Sequence, residues 1–365
     1  MKIGIPKELK EGERRVALTP EGAKKLLEAG HQVLIQSGAG ELSGFENTLY
    51  QEAGATLVDP LEQVWGDCEL LVKVKEPHPE EYKFLREDLS VFSFLHPAAS
   101  KDLTVAMRDS GVTGLDYDLV TLDTGSLPIL EPMSVIAGKL SVQNGARFLE
   151  ASEGGYGILL GGTPTVPPAK VLVVGCGNAG RNAAQIAVGM GAETTVLDIN
   201  EAVLDNFKKE LPKVKTSLST TDTLKAALAD TDLLIGAVLV PGAKAPKIIT
   251  KEHLRLMKPK SVLVDICIDQ GGFAETSRPT TISNPVYTEE GVVHCCVANM
   301  PAMVPRTSTL ALTAETLPWI EKIASLGVDK AIQTLEPIKK SVTMKGGEIT
   351  NKAVADAFGM KFSAV

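Results

Sequence analysis

Residues 171–200 read VLVVGCGNAGRNAAQIAVGMGAETTVLDIN, and few folds accept that order of residues. Four apolar residues (171–174) make a short buried strand, a glycine-rich turn reverses the chain, small and apolar residues continue as a helix, and a second strand ends at Asp198. The turn, Gly175-Cys176-Gly177-Asn178-Ala179-Gly180, matches G-x-G-x-x-G. In a βαβ unit Gly175 permits the tight bend, Gly177 lets a pyrophosphate approach the backbone, and Gly180 allows close contact of helix and strand. The helix start around Asn178 and Ala179 offers N–H groups and the positive end of its dipole to phosphate. Asp198 lies 18 residues past Gly180. There it accepts hydrogen bonds from a ribose diol and repels a 2′-phosphate, which favours NAD over NADP. The competing reading is a strand–turn–helix whose glycines serve only to turn. Cys176, inside the turn, reads as a packing residue.

The remainder must house this unit. A chain of 365 residues favours two domains. Its 44% hydrophobic content supports packed cores rather than disorder. A net charge of −8 argues against nucleic-acid binding, which needs a basic face. The N-terminus MKIGIPKELKEGERR has no signal-peptide core, and the most apolar stretch (residues 233–245) is too short to span a bilayer. Five cysteines, at 68, 176, 267, 295 and 296, make no disulfide framework. A cytoplasmic protein is expected.

Strands are expected at residues 2–5, 31–36, 70–74 and 91–95, and in the second half at 171–174, 233–237, 262–266 and 292–297. Thr19 caps a helix that has Pro20 at its first position, Glu21 at its positive end and Gly30 as its stop. Longer helices are expected at about 133–152 and 307–334, and a shorter one at 251–257, with a Gly/Pro-rich loop before residue 171. The terminal helices are expected to return to the first domain.

Four residues outside the glycine turn carry candidate chemistry. Arg15 in ERRVAL offers a bidentate fork to a carboxylate. Lys75 and His96 each follow an expected strand, where ligands of open α/β sheets collect, and His suits proton transfer near neutrality. Asp269, after VLVDICID, can orient water or stabilise a cationic intermediate. Each also has a plain reading as a solvated or turn residue. The triplet His294-Cys295-Cys296 invites a metal reading, but neighbours on a strand point to opposite faces, and no metal site is expected.

IGIPKELKEGERRVALTP, LLVKVKEP, FLHPAA, PMSVIAGKLSVQNGARFLE, LLGG, DLLIGAVLVPGAKAP, VDICIDQGG and HCCVANMPAMVP are spread over both halves. Through them the chain resembles the NAD-dependent L-alanine dehydrogenases, relatives of the NAD(H)-binding part of membrane transhydrogenases. The resemblance implies an α/β fold of two Rossmann-like doubly wound domains with a cleft between them, linked by long helices. Residues 1–128 and 306–365 would form a discontinuous substrate domain, and residues 129–305 the NAD-binding domain. It also implies an NAD-dependent amino-acid dehydrogenase that reversibly deaminates L-alanine to pyruvate and ammonia by hydride transfer from Cα, with no membrane or nucleic-acid partner and a homohexameric assembly.

Carried onto matching positions, the resemblance makes His96 the general acid/base, with Asp269 orienting water and stabilising the intermediates. Arg15 and Lys75 become the substrate-binding cations. Ser134, Gly175, Gly177, Asn178, Ala179, Gly180, Asp198, Ser219, Val238, Leu239, Ile266, Cys267, Ile268, Asp269, Arg278, Val297, Ala298, Asn299 and Met300 become the cofactor-binding set. Two positions depart from the family pattern: Cys295, where an aromatic is expected, and Met303, where a small residue is common. Met303, with Met133 and Met300, would reshape the pocket and bears on alanine preference. Two alternatives stay open: an NAD(H)-binding, transhydrogenase-like module, and an amino-acid dehydrogenase for a different substrate, such as glycine/glyoxylate or a larger side chain. A scaffold role has no residue in its favour.

Overall fold

The computed structural model describes residues 1–238 and 245–364. The chain divides into two compact units, Met1–Met133 with Ala302–Val365, and Ser134–Pro301. The first begins with β1 (Lys2–Ile5), β2 (Gln32–Gln36), β3 (Thr56–Val58), β4 (Leu70–Lys75), β5 (Ser90–Phe94) and β6 (Thr113–Asp116). The second holds β7 (Lys170–Val174), β8 (Glu193–Asp198), β9 (Lys215–Leu218), β10 (Leu233–Gly236), β11 (Val262–Asp265), β12 (Val286–Glu289) and β13 (Val292–Cys295). β14 (Val342–Lys345) and β15 (Glu348–Ile349) belong to the first unit again.

Both sheets obey the same rule. The first runs β15-β14-β6-β5-β4-β1-β2-β3 and the second β12-β13-β11-β10-β7-β8-β9. Strand order reverses between β1 and β4 in one and between β7 and β10 in the other, so each has a switch point where loops diverge beyond the carboxyl ends of its strands. β1 to β6 pair in parallel, as do β7 to β11 and β13, while β12, β14 and β15 add antiparallel edges. The central strands β4, β5, β10 and β11 are buried along their whole length, which explains their near-continuous apolar runs.

Local chemistry sets the boundaries. Thr19 accepts a hydrogen bond from Gly22 N–H at 3.1 Å and starts the helix Pro20–Glu28, and Gly30 follows it at φ +84°. The helix expected over 133–152 spans Glu131–Phe148, with a separate 3₁₀ turn at Ala151–Glu153. The single helix expected over 307–334 is two, Pro305–Leu326 and Val328–Thr334. Gly327 at φ +81° breaks it, a conformation cheap only for glycine. The helix expected over 251–257 is one capped turn, Lys251–Leu254. The strand expected over 292–297 stops at Cys295, and Val297 bridges Thr280 instead. Ile266 leaves its expected strand because Asp265 caps a 3₁₀ turn, Ile266–Gln270, by accepting Cys267 N–H at 2.9 Å.

Candidate active site

In the first unit, chemistry gathers on the loops after β1, β4, β5 and β6. Lys75 ends β4 opposite Phe94 of β5, and its ammonium lies 5.7 Å from the Phe94 ring centroid. It is buried, unlike a typical strand-end lysine. His96 follows β5 in the left-handed region, φ 45° and ψ 43°, with its ring stacked on Phe94 at 6.0 Å. A histidine held there stores backbone strain, a feature concentrated at functional sites. Its Nε2 lies 2.8 Å from Asp118 Oδ2, and its Nδ1 lies 3.9 Å from Glu76 Oε2.

These carboxylates govern the ring's charge. Desolvation favours neutral imidazole, but the bond to Asp118, the nearby Glu76 carboxylate and the Asp118 charge outweigh it, raising His96 to about 9. The side chain retains 41% of its surface, so solvent reaches it. Burial also pushes Glu76 up, yet His96 beside it and its bond to Lys10 hold it well below the usual carboxylate range. Asp116, buried at the end of β6, is raised to about 7 by burial and by the Asp118 charge.

Arg15 is buried, and the partner on its side-facing edge is Glu13. Nε donates to Glu13 Oε1 at 2.7 Å, NH2 to Oε2 at 2.6 Å, and NH1 reaches Met133 Sδ at 3.1 Å. Glu13 also accepts Arg15 N–H at 2.9 Å, so the guanidinium is oriented before any substrate arrives. Glu13, Glu76, Asp116 and Asp118 carry no role in the sequence reading. Asp118 was findable by the rule that selected His96, a polar residue just past a strand's carboxyl end. The segment TGLD, with its glycine, gave no strand signal to which that rule could apply.

In the second unit the glycine turn sits at the switch point after β7. Gly175 has φ +102°, and a Cβ there would lie 2.3 Å from Ala237 O, just past β10. At Gly180 a Cβ would stand 1.9 Å from Gly175 O, so this glycine is required for helix–strand contact. At Gly177 a Cβ would meet nothing within 4 Å. That side of the turn is open, as the sequence reading requires of this glycine. The helix Asn178–Gly189 has Gly177 as its N-cap with no side-chain cap, leaving Asn178 and Ala179 at an N-terminus suited to an anion. Asp198 ends β8 and braces the turn: Oδ2 accepts Cys176 N–H at 2.7 Å and Oδ1 accepts Asn200 N–H at 2.9 Å. A carboxylate has lone pairs left for a diol. Ser219 N–H donates to Asp198 O at 2.8 Å, and Ile199 beside them is 84% exposed.

The 3₁₀ turn after β11 carries Ile266, Cys267, Ile268 and Asp269. Asn299, itself in the left-handed region at φ 57°, donates its N–H to both Asp269 oxygens at 3.2 Å. Cys267 Sγ accepts Val238 N–H at 3.1 Å, joining the turn to the end of β10. Val297 and Met300 are buried and Ala298 half-buried around Asn299, and Ser134 is half-buried on the helix Glu131–Phe148. Arg278 stacks on Tyr287 of β12, its guanidinium 3.8 Å from the ring centroid. Leu239 lies outside the described residues. His294 bonds Thr276 Oγ1 at 2.8 Å and Val292 O at 2.9 Å, which engages both ring nitrogens, and Cys295 and Cys296 are buried.

Known proteins share this architecture. The family model for the "Alanine dehydrogenase/PNT, N-terminal domain" matches residues 4–137, and that for the "Alanine dehydrogenase/PNT, C-terminal domain" matches residues 141–352. The alanine dehydrogenase of Halomonas elongata is 49% identical over 363 residues, covering 99% of this chain and 98% of that one. That of Staphylococcus epidermidis is 47% identical over 367 residues, covering 100% and 99%. A solved L-alanine dehydrogenase superimposes with a TM-score of 0.95 at 44% identity over 98% of this chain and 99% of that one. A transhydrogenase from Sinorhizobium meliloti, at 24% identity, shares the fold with a TM-score of 0.82 over 97% and 100%. With both family models matched in sequence order and full-length relatives near half identity, the chain belongs to the alanine dehydrogenase/PNT family.

Proposed function

We propose that this protein is an NAD-dependent L-alanine dehydrogenase, converting L-alanine, water and NAD⁺ to pyruvate, ammonium, NADH and a proton, reversibly. The observation that carries the reading is the strained, carboxylate-bonded His96 beside Lys75, because a module that only binds a dinucleotide needs no such acid/base pair. Arg15, oriented by Glu13, holds the substrate carboxylate, and Lys75 polarises the carbonyl oxygen. NAD, when bound at the glycine turn and Asp198, supplies the chemistry of accepting a hydride from the alanine Cα.

Asp269, fixed by Asn299 N–H, stabilises the cationic imine and orients the water that adds to its carbon. With Nε2 bonded to Asp118, Nδ1 of His96 is the atom that takes the carbinolamine hydroxyl proton as ammonia leaves. In the reverse direction Nδ1–H returns that proton to the carbonyl oxygen of pyruvate as ammonia adds. We further propose that the enzyme works in the cytoplasm as a homo-oligomer, a hexamer by resemblance to its family.

The test is NADH absorbance at mildly alkaline pH with NAD⁺ and L-alanine, L-serine, glycine, L-lysine or L-leucine, and the reverse reaction with pyruvate and ammonium. Activity led by alanine and pyruvate is expected. Glycine leading would reassign the substrate. Silence in both directions with NADH still bound would favour a hydride-relay module.

A further inference from the structure

β4 does not run straight to Lys75. Against β5 its register reads Leu70 to Ser90, Leu71 to Val91 and Val72 to Phe92, then Lys75 to Phe94. Three steps on β4 match two on β5, so one extra residue is inserted between Val72 and Lys75. Such a bulge turns the side chains beyond it, and bulges recur beside active sites for that reason. In a straight strand Lys73 and Lys75 would share a face. Here Lys73 is buried with both its ion-pair partners, Glu8 at 3.3 Å and Glu81 at 3.0 Å, while Lys75 is directed toward Phe94.

A bulge must find partners for the backbone groups it frees. β1 pairs with β4 only at Ile3–Leu70 and Gly4–Leu71, so no neighbouring strand serves Val74 on that side. The loop after β1 does so with side chains: Glu8 Oε1 accepts Val74 N–H at 2.7 Å, and Lys10 Nζ bonds Glu76 Oε1 at 2.6 Å. The segment bearing Lys75 is therefore gripped on both sides by the loop that leads to Arg15.

We propose that Glu8 is a positioning residue for Lys75, acting through its hydrogen bond to the bulged Val74 amide. This rests on the reading of Lys75 as a substrate-binding cation. Reach, rather than charge, is the property that matters. Burial, the largest influence, raises Glu8 to about 7 against the pull of the Lys73 charge, so a full negative charge is not what the Val74 amide relies on. Lys73 stays charged, since Glu8 and Glu81 outweigh its burial.

Two variants separate reach from charge. Glu8→Gln keeps the acceptor at the same distance and loses the charge. Glu8→Asp keeps the charge and falls one methylene short of Val74. Steady-state KM and kcat for pyruvate, the NADH dissociation constant and Tm are measured for both, with Lys75→Met alongside. Glu8→Asp is expected to raise KM for pyruvate about ten-fold, less than the roughly hundred-fold that a full 1 Å misplacement can cost. NADH affinity should stay unchanged, and Glu8→Gln should retain near-native KM. A native KM in Glu8→Asp, or a larger defect in Glu8→Gln than in Glu8→Asp, overturns the proposal. If Lys75→Met itself leaves KM unchanged, the reading of Lys75 falls and the proposal with it. If Lys75→Met raises KM while Glu8→Asp does not, only the positioning role falls.

Discussion

Asp118→Asn isolates the interaction that sets the charge of His96. The wild-type ring is held near 9 against desolvation, chiefly by the 2.8 Å bond from Nε2 to Asp118 and by Glu76 at 3.9 Å from Nδ1. An adjacent opposite charge shifts a pKa by about 1–3 units, and Asn removes that charge while keeping a side chain of the same size. Glu76 stays ionised and still favours imidazolium, which places the expected fall at the low end, about one unit. Asp116 compensates little: losing the Asp118 charge eases its own ionisation, but that happens near 7, below the range where His96 titrates. Deamination needs His96 as a base, so its rate rises with pH through the His96 pKa, and lowering that pKa carries the rise to lower pH. The assay is log kcat and log kcat/KM for L-alanine from about pH 6 to about pH 10.5, for wild type and Asp118→Asn. Ionisation of alanine itself is common to both enzymes and drops out of the comparison. The variant should show an acidic limb displaced downward, so that at pH 7 it reaches a larger fraction of its own plateau. Superimposable limbs, or a limb displaced to higher pH, would refute the assignment of His96 and its partner.

His96→Ala should lower turnover by about 10²–10⁴-fold while NADH titration gives a native dissociation constant, and near-normal turnover would remove His96 from the chemistry. Two glycines of the turn, Gly177 and Gly180, should separate by assay. Gly177→Ala meets no atom within 4 Å and should melt like wild type yet bind NADH poorly. Gly180→Ala, with its Cβ 1.9 Å from Gly175 O, should lose about 1–3 kcal/mol of stability as well, read by denaturant unfolding. Asp198→Ala should raise the NADP⁺/NAD⁺ ratio of kcat/KM by about ten-fold or more by removing like-charge repulsion, and weaken NAD⁺ through loss of the brace on Cys176 N–H. An unchanged ratio would remove Asp198 from cofactor discrimination.

The glycine turn was legible in the order of residues because its constraints are local. Gly175, Gly177 and Gly180 meet steric demands made within one βαβ unit, and Asp198 ends the next strand. Thr19, Pro20 and Gly30 likewise place a helix with nearest-neighbour chemistry. His96 and Lys75 could be nominated because strand ends are visible as apolar runs that stop. Sequence alone left the partners of those residues undetermined. Asp118 meets His96 only because β5 and β6 are adjacent and parallel, whereas Glu13, two residues before Arg15, holds it through a local contact that the sequence reading overlooked. The bulge in β4 leaves no mark in the pattern of LLVKVKEP, since alternation looks the same whether or not one residue is inserted. Its existence depends on register against β5, and its support on a carboxyl group that the loop after β1 delivers from far along the chain. Local sterics are written in neighbouring residues. The charge of His96 and the aim of Lys75 are set by groups that only the folded sheet brings within hydrogen-bond reach.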